Sequence, residues 1–142
     1  MRKAVLLGLV VVLALAALGV AGCGGSSTDA TAVAAVQASL AKIDAAVKDM
    51  TAKGTAGTLT VAEIKTTRDT LKPDVQSIID NGKKIKGADT AAVQKAWTDL
   101  DTAVTGLPDT GTLADAAPVL LTKIGPLTAA LSAIGALVTP TT

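Results

Sequence analysis

The chain of 142 residues contains no histidine, no tyrosine and no phenylalanine, and it has one cysteine and one tryptophan. Each scarcity removes a class of chemistry. Without histidine there is no His/Cys metal cluster, no Ser-His-Asp triad, no Cys-His pair and no histidine-ligated haem. One aromatic ring, Trp97, cannot form the row of stacking platforms that a single-strand nucleic-acid binder uses. Charge is also scarce in one-sided form: 13 basic residues face 12 acidic ones, a net charge of +1. Nucleic acid calls for a strongly basic face, so it is not an expected partner. The length predicts a single domain.

Carboxylates are the remaining route to acid–base chemistry. Asp44, Asp49, Glu63, Asp69, Asp74, Asp80, Asp99, Asp101 and Asp115 are scattered along the chain. Asp99 and Asp101 stand two apart and face different directions on a helix. No Glu-x-x-His pair exists, which excludes the usual di-iron bundle. The expectation is therefore a protein with no active site, no metal and no cofactor.

What is present begins with the N-terminus. Arg2 and Lys3 precede an apolar run from Ala4 to Ala21, interrupted only by Gly8 and Gly19. A positive segment, an apolar stretch and small residues at its end have the layout of a secretory signal. The run is also long enough for a transmembrane helix, for which about 18 apolar residues suffice. Its ending, Val20-Ala21-Gly22-Cys23, resembles the lipobox of bacterial lipoproteins. The resemblance covers the first 23 residues and implies a diacylglyceryl group on the Cys23 thiol, with signal cleavage between Gly22 and Cys23. The alternative is an uncleaved signal anchor with Cys23 an incidental thiol. Both place the rest of the chain outside the cytoplasm, because Arg2 and Lys3 stay on the inner side. A thioether at Cys23 would consume the only thiol and leave no disulfide.

The expected organisation is a signal peptide over 1–22, an acylated cysteine and Gly/Ser tether over 23–28, a helical bundle over 29–138 and a Thr/Pro tail over 139–142. Beyond the signal, 11 basic residues oppose 12 acidic ones, and 30 apolar side chains larger than alanine remain to build a core. Val33, Val36, Leu40, Ile43, Val47 and Met50 alternate spacings of three and four, which predicts a helix over 29–53 packed in a bundle. Thr28 or Asp29 can cap its start, and Gly54 is the expected stop.

A second helix is signalled by Thr60 and Glu63 in capping-box spacing, with Leu59 and Ile64 placed for a hydrophobic staple. Its seam is Val61, Ile64, Arg68, Leu71, Val75 and Ile78, and Pro73 is expected to kink or split it after Lys72. A third helix over 89–105 has the seam Val93, Trp97, Leu100 and Val104, with Gly106 as a left-handed cap and Pro108 as a stop. A fourth over 112–138 carries Leu113, Ala117, Leu120, Ile124, Leu127, Leu131, Ile134 and Val138, with kinks or breaks expected at Pro118 and Gly125-Pro126. Four seams on short connections predict an all-α fold, an antiparallel four-helix bundle, or three long helices plus kinked or broken segments. Abundant threonine argues against helix, but no segment alternates with a period of two.

Arg68 falls on an apolar seam. It either binds an anion or partner at the surface, or lays its stem on the core and reaches water or a carboxylate such as Glu63 or Asp74. Lys83, Lys84 and Lys86 form a basic turn whose default reading is a solvated one, since Asp80 and Asp89 flank it and dilute its field; the alternative is contact with anionic headgroups or a phosphate-rich polymer. Trp97 fits a core plug better than a sugar-stacking ring. The fourth helix has no charge after Lys123 and keeps Val119, Leu121 and Leu137 off its stripe, so it is expected to be the central, most buried helix. The exposed alternative is a surface for membrane, another helical protein or a second copy.

These features predict a lipid-anchored envelope protein on the extracytoplasmic face of a cell membrane, with a non-catalytic structural or protein-interaction role. Its expected partners are the membrane, through the anchor, and an envelope protein or a second copy. The alternative is a carrier holding a small hydrophobic ligand or lipid in a groove opened by the kinks at Pro73 and Pro126.

Overall fold

The structure is a computed structural model that describes residues 29–139, with Asp115 described in its backbone alone. The signal segment, Cys23 and the tether to residue 28, and the tail residues 140–142, lie outside the described residues. Four helices follow one another: α1 (Ala30–Ala56), α2 (Val61–Gly82), α3 (Thr90–Thr105) and α4 (Leu113–Val138), with no strand among the described residues. They form the expected four-helix bundle, in which α1 packs chiefly on α2 and α4 chiefly on α3, while α2 and α3 join the two pairs.

The seams form the core. One cluster gathers Val36, Leu40 and Ile43 of α1, Leu71, Val75 and Ile78 of α2, Val93 and Trp97 of α3, and Leu127, Leu131 and Ile134 of α4. A smaller one joins Val61, Ile64, Val104, Leu107, Ala116 and Leu120 near the other end. The alternation of three and four residues keeps one face of each helix inward, which is why nearly every seam position is buried or half-buried.

The helix ends follow local chemistry. The Asp29 carboxylate accepts from the backbone N–H groups of Thr31 at 2.9 Å and Ala32 at 3.4 Å. Thr60 and Glu63 form the reciprocal capping box. Gly54 does not stop α1: it lies buried inside the helix, where an added β-carbon would meet Leu59 and Leu113. Gly57 takes the left-handed turn instead, with φ of 72°. Its N–H donates to Gly54 O at 3.1 Å and that of Thr58 to Lys53 O at 2.9 Å, a Schellman motif. Gly106 is not left-handed either; at φ −74° it continues the right-handed turn, and Pro108 follows in the loop.

The prolines break nothing. α2 runs through Pro73 and α4 through Pro118 and Pro126 as single helices. All three prolines are exposed. A proline ring pushes the helix away from itself, so an outward proline curves its helix over the core and leaves the freed carbonyl to water.

The threonines are accommodated within the helices by bonds to the preceding turn. Thr51, Thr66, Thr70, Thr98, Thr102, Thr122 and Thr128 each donate a hydroxyl to the carbonyl four residues earlier, at 2.8–3.0 Å. The hydroxyl bonds within its own helix instead of competing with it.

One expectation about burial is overturned. α4 is not the central helix: Val119 is 41% exposed, Leu121 38% and Leu137 46%. Four antiparallel helices each occupy a corner, so no member is enclosed all round, and apolar residues off the stripe face outward.

Candidate functional site

Arg68 rises from the seam of α2 and crosses to α3. Its Nη1 donates to Asp101 Oδ1 at 2.6 Å and to the Thr105 hydroxyl at 3.1 Å, and its side chain is only 17% exposed. Nε lies 3.0 Å from Asp69 Oδ1, too oblique for a hydrogen bond. The carboxylates named from the sequence are elsewhere: Asp74 pairs with Lys42 at 3.1 Å, and Glu63 holds Thr60 and Lys53. Arg68 therefore joins α2 to α3 through a carboxylate on the neighbouring helix, with its stem along the core.

The acids are similarly committed. Asp44, Asp49 and Asp99 pair with lysines one turn away on their own helices, Asp80 with Lys83 at 3.6 Å, and Asp109 reaches Lys65 at 2.6 Å. Asp29 and Asp89 cap helices. Each acid whose side chain is described has a partner, and Asp99 and Asp101 face different ones. Among the described residues, no three of His, Cys, Asp and Glu come together as metal ligands.

Three titrating groups are displaced by these contacts. The Thr60 backbone N–H, with its hydroxyl, holds the Glu63 carboxyl below the usual carboxylate range. The hydrogen bond from Lys95 lowers Asp99, and bonds to Asp49 and then Glu63 raise Lys53. All three are half-buried surface groups and act on stability, since none stands in a cleft with a second unpaired group.

Trp97 is buried in the larger core cluster, as its seam position predicted. The basic turn gains a feature that composition hid. Ile85, between Lys84 and Lys86, is buried in the same cluster and pins the turn to the bundle. Lys84 N donates to Asn81 O and Ile85 N to Gly82 O, both at 2.9 Å, and Gly87 turns left-handed at φ 85°. The three lysines consequently point outward, all exposed. They stand at the opposite end of α2 from the Thr60–Glu63 box, and Arg68 is not among them.

This turn shares its end of the bundle with the start of α1 and the finish of α4. Gln37 Nε2 donates to Val138 O at 2.7 Å. A β-carbon added at Gly82 would stand 2.6 Å from Thr90 and 3.9 Å from Ile134, and one at Gly87 would be 4.0 Å from both Leu137 methyls. Glycine at 82 is what lets α2 close onto α3.

The remaining surface of interest is the outer face of α4. From Pro118 onward it presents Val119, Leu121, Pro126, Ala129, Ala133 and Leu137, with Lys123 as its one charged residue. α1 and the Ala116–Val138 part of α4 are long and apolar enough to cross a membrane, by length and composition alone. Both also bury one face in the bundle. No protein-family model, curated protein or solved structure matches this chain.

Proposed function

We propose that this chain is an envelope lipoprotein, held to the extracytoplasmic face of a membrane by acyl chains on Cys23, whose helical bundle has a non-catalytic structural or protein-interaction role. The observation that carries the reading is Val20-Ala21-Gly22-Cys23, with the only cysteine of the chain at the close of an apolar run opened by Arg2 and Lys3. Two or more acyl chains make a stable anchor where one is marginal.

The bundle supports the non-catalytic half. Its described acids are in ion pairs, hydrogen bonds and caps, and its arginine joins two helices. The outer face of α4, uncharged beyond Lys123 and exposing Val119, Leu121 and Leu137, supports an interaction role, since exposed apolar surface marks contact sites. The carrier alternative drew on gaps at Pro73 and Pro126; both prolines are exposed and lie inside unbroken helices, which favours the interaction role.

The test is mass spectrometry of the N-terminal peptide from membranes of expressing cells. The expected product starts at Cys23 and carries acyl mass, and Cys23→Ser accumulates as unprocessed precursor. A normally cleaved and membrane-retained Cys23→Ser protein would overturn the assignment.

A further inference from the structure

We propose that the end of the bundle formed by the α2–α3 turn and the last turn of α4 rests on an anionic lipid headgroup surface, oriented by Lys84 and Lys86. The inference rests on Cys23 being the anchored residue. Five residues, and thus six steps of the chain, separate Cys23 from Asp29, the cap of α1. At no more than about 3.5 Å per residue, they hold the start of α1 within about 20 Å of the anchor. The start of α1 stands at the same end as the lysine turn, through the contacts of Gln37 with Val138 and of Gly87 with Leu137. The tether thus delivers this end, and not the opposite one, to the membrane.

The charges at this end suit that surface. Lys84 and Lys86 are exposed and, among the described residues, make no ion pair. The acids beside them keep their charge in their own contacts, Asp80 with Lys83 and Gln76, Asp89 in the α3 cap and Asp29 in the α1 cap, so what this end offers is the outward presentation of Lys84 and Lys86 and not an excess of charge. At the far end the cations are bound, Lys53 to Asp49 and Glu63, and Lys65 to Asp109. Lys72 and Lys123, the other described lysines without an ion pair among the described residues, lie within α2 and α4 away from this end. Buried Ile85 keeps the two lysines presented on a fixed turn, and Leu137 offers an apolar side chain beside them. Surface potential decays over about 8–10 Å, so the lysines act only because the tether keeps them close.

The test uses the full lipidated protein in vesicles of phosphatidylcholine alone or mixed with phosphatidylglycerol. Acylation consumes the Cys23 thiol, so a spin label reports from Leu137→Cys at this end or Thr58→Cys at the far end. The Leu137→Cys label should be shielded from a water-soluble relaxation agent on phosphatidylglycerol vesicles and open on pure phosphatidylcholine. The Thr58→Cys label should be open on both. Replacing Lys84 and Lys86 by glutamine should lower the docked-to-undocked ratio about fivefold for each lysine. Equal exposure of the two labels on anionic vesicles, or shielding that survives the double replacement, would overturn the docking alone. A membrane-retained protein whose Cys23 peptide carries no acyl mass would overturn the anchor, and the docking with it; the mass of that peptide separates the two failures.

Discussion

α2 and α4 are both long helices that run through internal proline, and each buries one apolar stripe in the same bundle. Their outer faces have little in common. α2 shows water Glu63, Lys65, Asp69, Lys72, Asp74 and Asp80, most of them tied to a partner across or along a helix. α4 shows alanine, proline, valine and leucine, and no charge beyond Lys123. The difference teaches that the inner stripe alone secures a place in the fold. What a helix presents outward is then open to other demands, and on α4 those are compatible with contact.

The sharpest way to break this comparison is through the two stripes. Ile78 of α2 and Ile134 of α4 are both essentially inaccessible to water. Truncation of either to alanine should cost about 2–5 kcal/mol in urea unfolding, with comparable losses. A much smaller loss at Ile134 would mean that α4 is not an equal part of the core. Trp97 provides the signal, and its emission should be that of a buried indole.

The outer face of α2 should matter at an intermediate level. Arg68→Met removes the bond to Asp101 and keeps the apolar stem, so the expected loss is about 1–2 kcal/mol, between exposed and buried ion pairs. A double-mutant cycle with Asp101→Asn isolates the pair. Thr60→Ala should cost about 1 kcal/mol through the lost cap, measured by the same unfolding.

The capping box also sets a pH dependence. The folded state holds the Glu63 carboxyl below its unfolded value, so its contribution is present above the ordinary carboxylate range of about 4.3 and fades as pH falls through the depressed folded value. Glu63→Gln should flatten the acid limb of stability against pH, by an amount that salt reduces. An unchanged acid limb would remove the box from the account.

The smallest effect is expected on the outer face of α4. Ala129→Lys with Ala133→Lys should change stability by no more than about 0.5 kcal/mol, as surface substitutions do. A large loss would show that this face is covered in the isolated protein and would erase its contrast with α2. Sedimentation of the pair against the wild type reads the same point.

The seams made the helices legible, since a run such as Val36, Leu40 and Ile43 allows one inward face and no other. The capping box and the short-range pairs Asp44–Lys48 and Lys95–Asp99 are likewise one-turn patterns. Arg68 with Asp101, Lys65 with Asp109 and Lys42 with Asp74 depend on how neighbouring helices slide against each other, which no local spacing encodes. The choice of Gly57 over Gly54 needed a backbone angle. The outward prolines had a signal: Pro73 stands off the seam through Leu71 and Val75, and a seam drawn as a helical wheel places it on the solvent side. Ile85 was masked by the three lysines around it. Cys23, the residue on which the functional reading depends, was legible in the sequence alone and lies outside the described residues.

The hydrogen bond from Gln37 to Val138 has a practical consequence for handling the molecule. It brings the start of the first helix and the finish of the last to one end, so α4 ends on the side of the bundle where α1 begins and where the proposed anchor would lie. A reporter meant to face away belongs in the loop around Pro108–Gly111, between α3 and α4, where an insertion would leave both chain ends and the lysine turn undisturbed.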